Sequence, residues 1–116
     1  MDYVIFHNPS CGTSRKVLAA LREAGIELEI RLYLKSPPSP AELADLLARM
    51  DMTPRALLRR KEKVYAELGL DDKSLSDATL IAAMSAHPIL IERPIVVTPK
   101  QAVLCRPPEK VEALLP

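Results

Sequence analysis

The chain has 116 residues, 48% of them hydrophobic, which is enough apolar material for one domain with a single core. Sixteen basic residues stand against fifteen acidic ones, a net charge of +1, so no global field points to nucleic acid or an anionic membrane surface. No apolar run approaches the ~18 residues of a membrane helix, and Met1-Asp2-Tyr3 lacks the basic lead of an export signal, so a cytoplasmic protein is expected.

Two cysteines, Cys11 and Cys105, are too few for a disulfide scaffold. Neither they nor the two histidines, His7 and His87, have metal-ligand spacing, and no metal site is expected.

Tyr3 to Phe6 form a short apolar run, as in a strand buried on both faces. A loop with Asn8, Pro9 and Gly12 leads into a helix pattern over about Thr13 to Ala24, with Val17, Ala20, Leu21 and Ala24 on one face and Gly25 as its stop. Ile26, Leu28, Ile30, Leu32 and Leu34 then alternate with Glu27, Glu29, Arg31 and Tyr33, a period of two that predicts a strand with one solvated face.

The middle of the chain changes to helix signals. Ser39, Pro40 and Glu42 spell a capping box ahead of Leu43, Leu46, Leu47 and Met50. Thr53-Pro54 repeats the cap before a helix at Arg55 to Arg60, and Ser76-Asp77 opens another with Leu80, Ile81 and Met84 on one face. After His87-Pro88 the strands return: "RPIVVTP" holds one, "AVLC" a second across the Lys100-Gln101 turn, and "PPEKVEALL" reads as a closing helix. The expected fold is α/β, a thioredoxin-like mixed four-stranded sheet flanked by helices. It is one domain, residues 1–116, with a helical insertion at about 38–87 between a β-α-β and a β-β-α half.

This order places Cys11 at or just before a helix start. There it faces unpaired backbone N–H groups and the positive end of the helix dipole, both of which favour a thiolate and bind anions. Such thiols titrate at ~3.5–7.5 instead of about 8.5. The plainer reading, a small buried hydrophobe, is opposed by the flanks Asn8, Pro9, Gly12, Thr13 and Ser14, a poor apolar niche. Three positions on, where redox motifs often carry a second cysteine, stands Ser14, so Cys11 needs an outside partner for its chemistry. His7 is either a hydrogen-bond partner or base for the thiol, or a cover for the strand end. Cys105 closes an apolar strand and reads as a packing residue, with Arg106 beside it.

The blocks "YVIFHNPSCGTSR", "YLKSPPSPAEL", "RALLRRKEKVYAELGL", "HPILIERPIVVTPK" and "VLCRP" together resemble the signature blocks of the glutaredoxin-coupled bacterial arsenate reductase family, in its order and over nearly the whole chain. The resemblance implies that Cys11 is the catalytic cysteine, that His7 and Ser14 tune its thiolate, and that Arg59, Arg93 and Arg106 bind the oxyanion. It also implies a cis Arg93-Pro94 bond. Arginine suits the task, since its paired N–H donors match a doubly charged oxyanion. Taken one at a time, the three have other readings: Arg59 as part of a solvated "RRK" helix face, with Arg60 as its substitute, Arg93 as a partner of residues near Glu92, and Arg106 as a strand-end cap.

The implied chemistry is glutathione- and glutaredoxin-dependent reduction of arsenate to arsenite, for arsenic detoxification. The Cys11 thiolate forms a covalent adduct with arsenate, glutathione attacks the adduct, and glutaredoxin resolves the mixed disulfide. No bound cofactor is expected, glutathione being a co-substrate, and a monomer suffices. The alternative is a related thiol protein of the same fold group, a glutathione-dependent oxidoreductase or an RNA-polymerase-binding regulator, without arsenate activity. Three convergent arginines would separate the two, because a regulator has no need of them.

Overall fold

The first and last segments of the chain fold together. The computed structural model describes residues 2–116 and divides into a first unit, up to Ser36 with Arg93–Pro116, and a second, Pro37–Glu92. In the first unit β1 (Tyr3–Phe6), α1 (Gly12–Glu23), β2 (Leu28–Arg31), β3 (Ile95–Val97) and β4 (Ala102–Leu104) precede a closing 3₁₀ helix, Pro108–Leu114. The sheet order is β2-β1-β3-β4, with β1 parallel to β2 and antiparallel to β3, and β3 antiparallel to β4. This is the expected mixed four-stranded sheet, and the central place of β1 accounts for its unbroken apolar run.

One core forms on one face of the sheet. Ile5 and Val96 meet Val17, Leu18 and Leu21 of α1 and Val111 and Leu114 of the closing helix, with Cys105 among them. Each large side chain buried there contributes roughly 1.5–3 kcal/mol. Helix α1 ends where Gly25 takes φ +75; its N–H reaches the Arg22 carbonyl, and that of Ile26 the Leu21 carbonyl, two bonds that satisfy otherwise orphaned acceptors.

Strand β2 is shorter than the sequence pattern predicts. After Arg31 the chain turns, with the N–H groups of Lys35 and Ser36 both on the Leu32 carbonyl. The turn breaks the alternation: Tyr33 is buried, while Leu32 and Leu34 are 37% and 40% exposed. The closing segment is a 3₁₀ helix instead of an α-helix. Arg93-Pro94 is cis, as the resemblance implies, and Arg106-Pro107 is cis as well.

The second unit holds α2 (Pro40–Met50), α3 (Pro54–Leu57), α4 (Lys63–Glu67), α5 (Asp77–Ala86) and a 3₁₀ turn, Pro88–Leu90. The capping box of α2 is complete, with Glu42 N–H on Ser39 Oγ at 3.1 Å and Ser39 N–H on Glu42 Oε1 at 3.1 Å. Thr53 and Ser76 cap α3 and α5 by accepting from the N–H groups of Ala56 and Thr79, without a reciprocal carboxylate, and α5 packs against α2 and α3. Helix α3 stops at Leu57, short of the expected Arg60. Leu58 turns extended and bridges Ile91, with Arg59 N–H on the Leu90 carbonyl at 2.8 Å and Glu92 N–H on that of Leu57 at 3.0 Å. Among the described residues no helix is long and apolar enough to cross a membrane.

Candidate active site

The sheet sets the thiol loop. His7 continues β1 by one more bond, its N–H on the Arg31 carbonyl at 2.9 Å, and the chain then leaves through Asn8-Pro9-Ser10. Asn8 closes this turn twice: its side-chain oxygen accepts from Ser10 N–H at 2.9 Å and its carbonyl from Cys11 N–H at 3.0 Å. Cys11 emerges as the N-cap of α1, in extended backbone conformation.

Four groups of the first unit address the sulfur. Arg106 Nη1 lies 3.8 Å from Cys11 Sγ and also donates to the Arg93 carbonyl at 3.0 Å, which fixes its direction. The Arg93 guanidinium supplies a hydrogen bond and a charge, and the N–H groups of Ser14 and Thr13 point from the first turn of α1. Burial pushes the thiol up, but the Ser14 N–H, Arg93 and the Thr13 N–H outweigh it and bring the value from 9.0 down to about 7. Arg93 Nε and Nη1 are buried with no acceptor among the described residues. Buried guanidinium donors of this kind suit an incoming oxyanion.

His7 and Ser14 act at one remove. Ser14 Oγ lies 2.6 Å from His7 Nδ1 and accepts from Asn8 N–H at 3.1 Å. The buried pair therefore ties the strand end to the first turn of α1, and it is the backbone of Ser14 that reaches the sulfur. Burial lowers the pKa of His7, and the charges of Arg22 and Arg15 lower it further, so the ring is neutral at neutral pH.

Arg59 belongs to the second unit. Its Nε engages Glu62 Oε2 at 3.0 Å and its Nη1 engages Glu92 Oε1, a fork that raises its pKa despite burial. The solvated-helix reading of Arg59 fails, because α3 has ended before it and the Leu58–Ile91 bridge brings Glu92 to its side. Arg60 is exposed. The Arg59-x-x-Glu62 spacing was visible in the sequence, whereas the Glu92 partner depends on a bridge that no local pattern announces. Among the described residues no three His, Cys, Asp or Glu side chains are grouped to hold a metal ion.

Cys105 has the opposite surroundings. It is fully buried in the first unit's core, and burial pushes its thiol up to about 11 against a weaker pull from Lys110. Beside the thiol loop runs a groove of about 530 Å³, lined by His7, Pro9, Leu18, Arg15, Arg22 and Glu23 among others. Arg15 and Arg22 are not among the site residues expected from the sequence. Their signal is the helical spacing of positions 11, 15, 18 and 22, which share one face.

The ArsC family profile matches residues 6–114. The chain is 53% identical over 116 residues, all of it and 83% of the relative, to the arsenate reductase of Rhizobium meliloti (strain 1021). It is 50% identical over 108 residues to the uncharacterized protein YfgD of Escherichia coli (strain K12), covering 92% of this chain and 91% of that one. A solved structure named arsenate reductase from Vibrio cholerae superposes with a TM-score of 0.94 at 48% identity, over 99% of this chain and 98% of that one.

Proposed function

The chain belongs to the ArsC family, and we propose that it reduces arsenate to arsenite in the cytoplasm, as part of arsenic detoxification, with Cys11 as nucleophile. The observation that carries this reading is a thiol lowered to about 7 beside two arginines, Arg93 and Arg106. A thiol at that value is about half ionised at neutral pH, and it stands beside the donors proposed for the oxyanion.

In the first step the Cys11 thiolate attacks arsenic(V). An As–S bond forms, an As–O bond breaks, and the departing oxygen leaves as water once protonated. Arg93 Nε and Nη1 are the donors proposed for the oxyanion, with Arg106 oriented on the sulfur by the Arg93 carbonyl. In the second step a glutathione thiolate attacks the Cys11 sulfur. The S–As bond breaks, its electron pair stays on arsenic as arsenic(III), and a mixed disulfide forms. A glutaredoxin thiolate then takes the glutathione sulfur and returns the Cys11 thiolate. Every protein group named lies in one chain, so a monomer suffices.

Arg59 is proposed as a third oxyanion donor, and an incoming dianion would compete there with Glu62 and Glu92. That compensation by two carboxylates is the one observation favouring the second reading, a related thiol protein of the same fold without arsenate activity. An assay of arsenate with glutathione, glutaredoxin, glutathione reductase and NADPH decides between them. Arsenate-dependent NADPH consumption that needs both glutathione and glutaredoxin supports the proposal. Reduction of a glutathione mixed disulfide with no arsenate turnover supports the second reading, and equal activity with thioredoxin alone defeats the mechanism given.

A further inference from the structure

Strand β2 ends the sheet, with β1 on one side and no strand of the described residues on the other. Three of the four large hydrophobic side chains exposed among the described residues, Ile30, Leu32 and Leu34, lie on it or just after it, at 36%, 37% and 40% exposure. An open edge offers a row of N–H and C=O groups to another strand, and folded proteins usually blunt such edges with charge. Here the charges are one of each sign, Glu29 and Arg31, placed on either side of Ile30.

The ladder fixes which backbone groups the edge presents. His7 N–H bonds the Arg31 carbonyl, and β1 meets β2 at Val4–Glu29 and Phe6–Arg31. Successive residues of a strand turn their backbone groups to opposite sides, so Glu29 and Arg31 address β1 while Leu28 and Ile30 present theirs outward. The Leu32 carbonyl is taken by Lys35 and Ser36, which leaves its N–H for the edge. Side chains alternate as well: Leu28 packs against the core below α1 and Ile30 pairs with core residue Ile5, whereas Glu29 and Arg31 occupy the other face. Arg31 is held there, its Nε on the Ser36 carbonyl at 3.0 Å and its guanidinium 5.3 Å from the centre of the Phe6 ring.

Charge selects among the registers in which two β2 strands can pair antiparallel about a two-fold axis. Centred on Glu29, the pairing sets Glu29 against Glu29; centred on Arg31, it sets Arg31 against Arg31. Like charges directly opposite are destabilising. Centred on Ile30, the pairing sets Glu29 against Arg31 on both sides of the axis, with Ile30 against Ile30 and Leu28 against Leu32. Ile30 N–H then meets the Ile30 carbonyl of the other copy, and Leu32 N–H meets the Leu28 carbonyl.

We propose that the β2 edge is a homodimer interface, two copies of the chain pairing antiparallel about Ile30 into one continuous sheet. A second copy is the occupant because this strand complements itself in charge, backbone phase and apolar surface at a single register. The paired segment is short, so the dimer is a weak one that forms at high protein concentration. The catalytic groups lie in one chain, and pairing adds no residue to the site.

The test is sedimentation equilibrium of the full chain from about 1 µM to about 1 mM, in excess reductant so that no Cys11 disulfide contributes. The wild type should self-associate, and Ile30→Lys, shown by thermal unfolding to fold, should raise the dimer Kd at least about tenfold. Glu29→Arg and Arg31→Glu should each weaken the homodimer about tenfold, since each reversal sets like charges opposite on both sides of the axis. An equimolar mixture of those two variants should recover the wild-type constant as a heterodimer, because opposite charges then face each other again. A wild type that stays monomeric throughout overturns the proposal and leaves the edge to another protein's strand or to none. A dimer unchanged by Ile30→Lys, or reversals that weaken it with no recovery in the mixture, also overturns it. A second measurement does not depend on the folding of Arg31→Glu: in a Cys11→Ser background, Ile30→Cys should be joined to its copy by a short bismaleimide, and a failure to crosslink overturns the pairing.

Discussion

Cys11 and Cys105 lie in the same unit, and the chain puts an arginine directly after the second, yet it is the first that the arginines serve. Arg106 turns away from its neighbour Cys105 and reaches Cys11 and the Arg93 carbonyl. Cys11 caps α1, with backbone N–H groups and Arg93 drawing its thiol down to about 7. Cys105 sits among Ile5, Val17, Leu21 and Val96, where burial raises it to about 11. A thiol's character therefore follows the donors aimed at its sulfur and not the charges adjacent to it in sequence.

The largest expected effect breaks the comparison at its reactive end. Cys11→Ser should lose arsenate turnover to background, because a serine hydroxyl is un-ionised at neutral pH, while Cys105→Ser keeps most of it. Equal loss in a folded Cys105→Ser protein would mean an internal disulfide relay. Next, Arg93→Gln should lower kcat by about 10²-fold, as expected for one oxyanion donor, and should move the Cys11 titration from about 7 back toward 9.0. A variant that loses activity with its thiol titration unmoved would separate the two roles given to Arg93.

The packing end of the comparison predicts a stability effect. Cys105→Ser puts a hydroxyl into an apolar core and should cost about 1–3 kcal/mol in urea unfolding, whereas Cys105→Ala leaves only a small cavity and should cost less. The smallest effect concerns His7. Burial, with the charges of Arg22 and Arg15, holds its folded pKa below the ordinary 6.5, so the folded state binds fewer protons than the unfolded one, and stability falls as pH drops through 6.5. His7→Gln should flatten that part of the acid limb, seen as urea midpoints at about pH 5 and pH 7 that lie closer together than in the wild type.

How far the sequence revealed these features depends on how local they are. The α1 stop at Gly25, the Ser39–Glu42 capping box and the caps Thr53 and Ser76 are made by residues within a few positions of one another, and each formed as read. The apolar run of β1 and its place in the centre of the sheet follow from a short, unbroken pattern. Where the pattern misled, a non-local bond decided: the Leu58–Ile91 bridge ends α3 early and hands Arg59 to Glu92, and the turn on the Leu32 carbonyl inverts the alternation after β2. At the thiol, its place at a helix start was legible from Asn8, Pro9 and Gly12, whereas the approach of Arg93 and Arg106 required segments more than eighty residues away in the chain. The part of Ser14 was legible only as a position, since its backbone serves the sulfur and its side chain serves His7.

The most direct test of this account is the pH dependence of iodoacetamide alkylation at each cysteine of the folded protein, resolved by mass spectrometry. The Cys11 rate should climb to a plateau with a midpoint of about 7, and Cys105 should stay unlabelled throughout that range. A Cys11 midpoint at the ordinary value of 9.0, or labelling of Cys105 at a rate equal to that of Cys11, would contradict it.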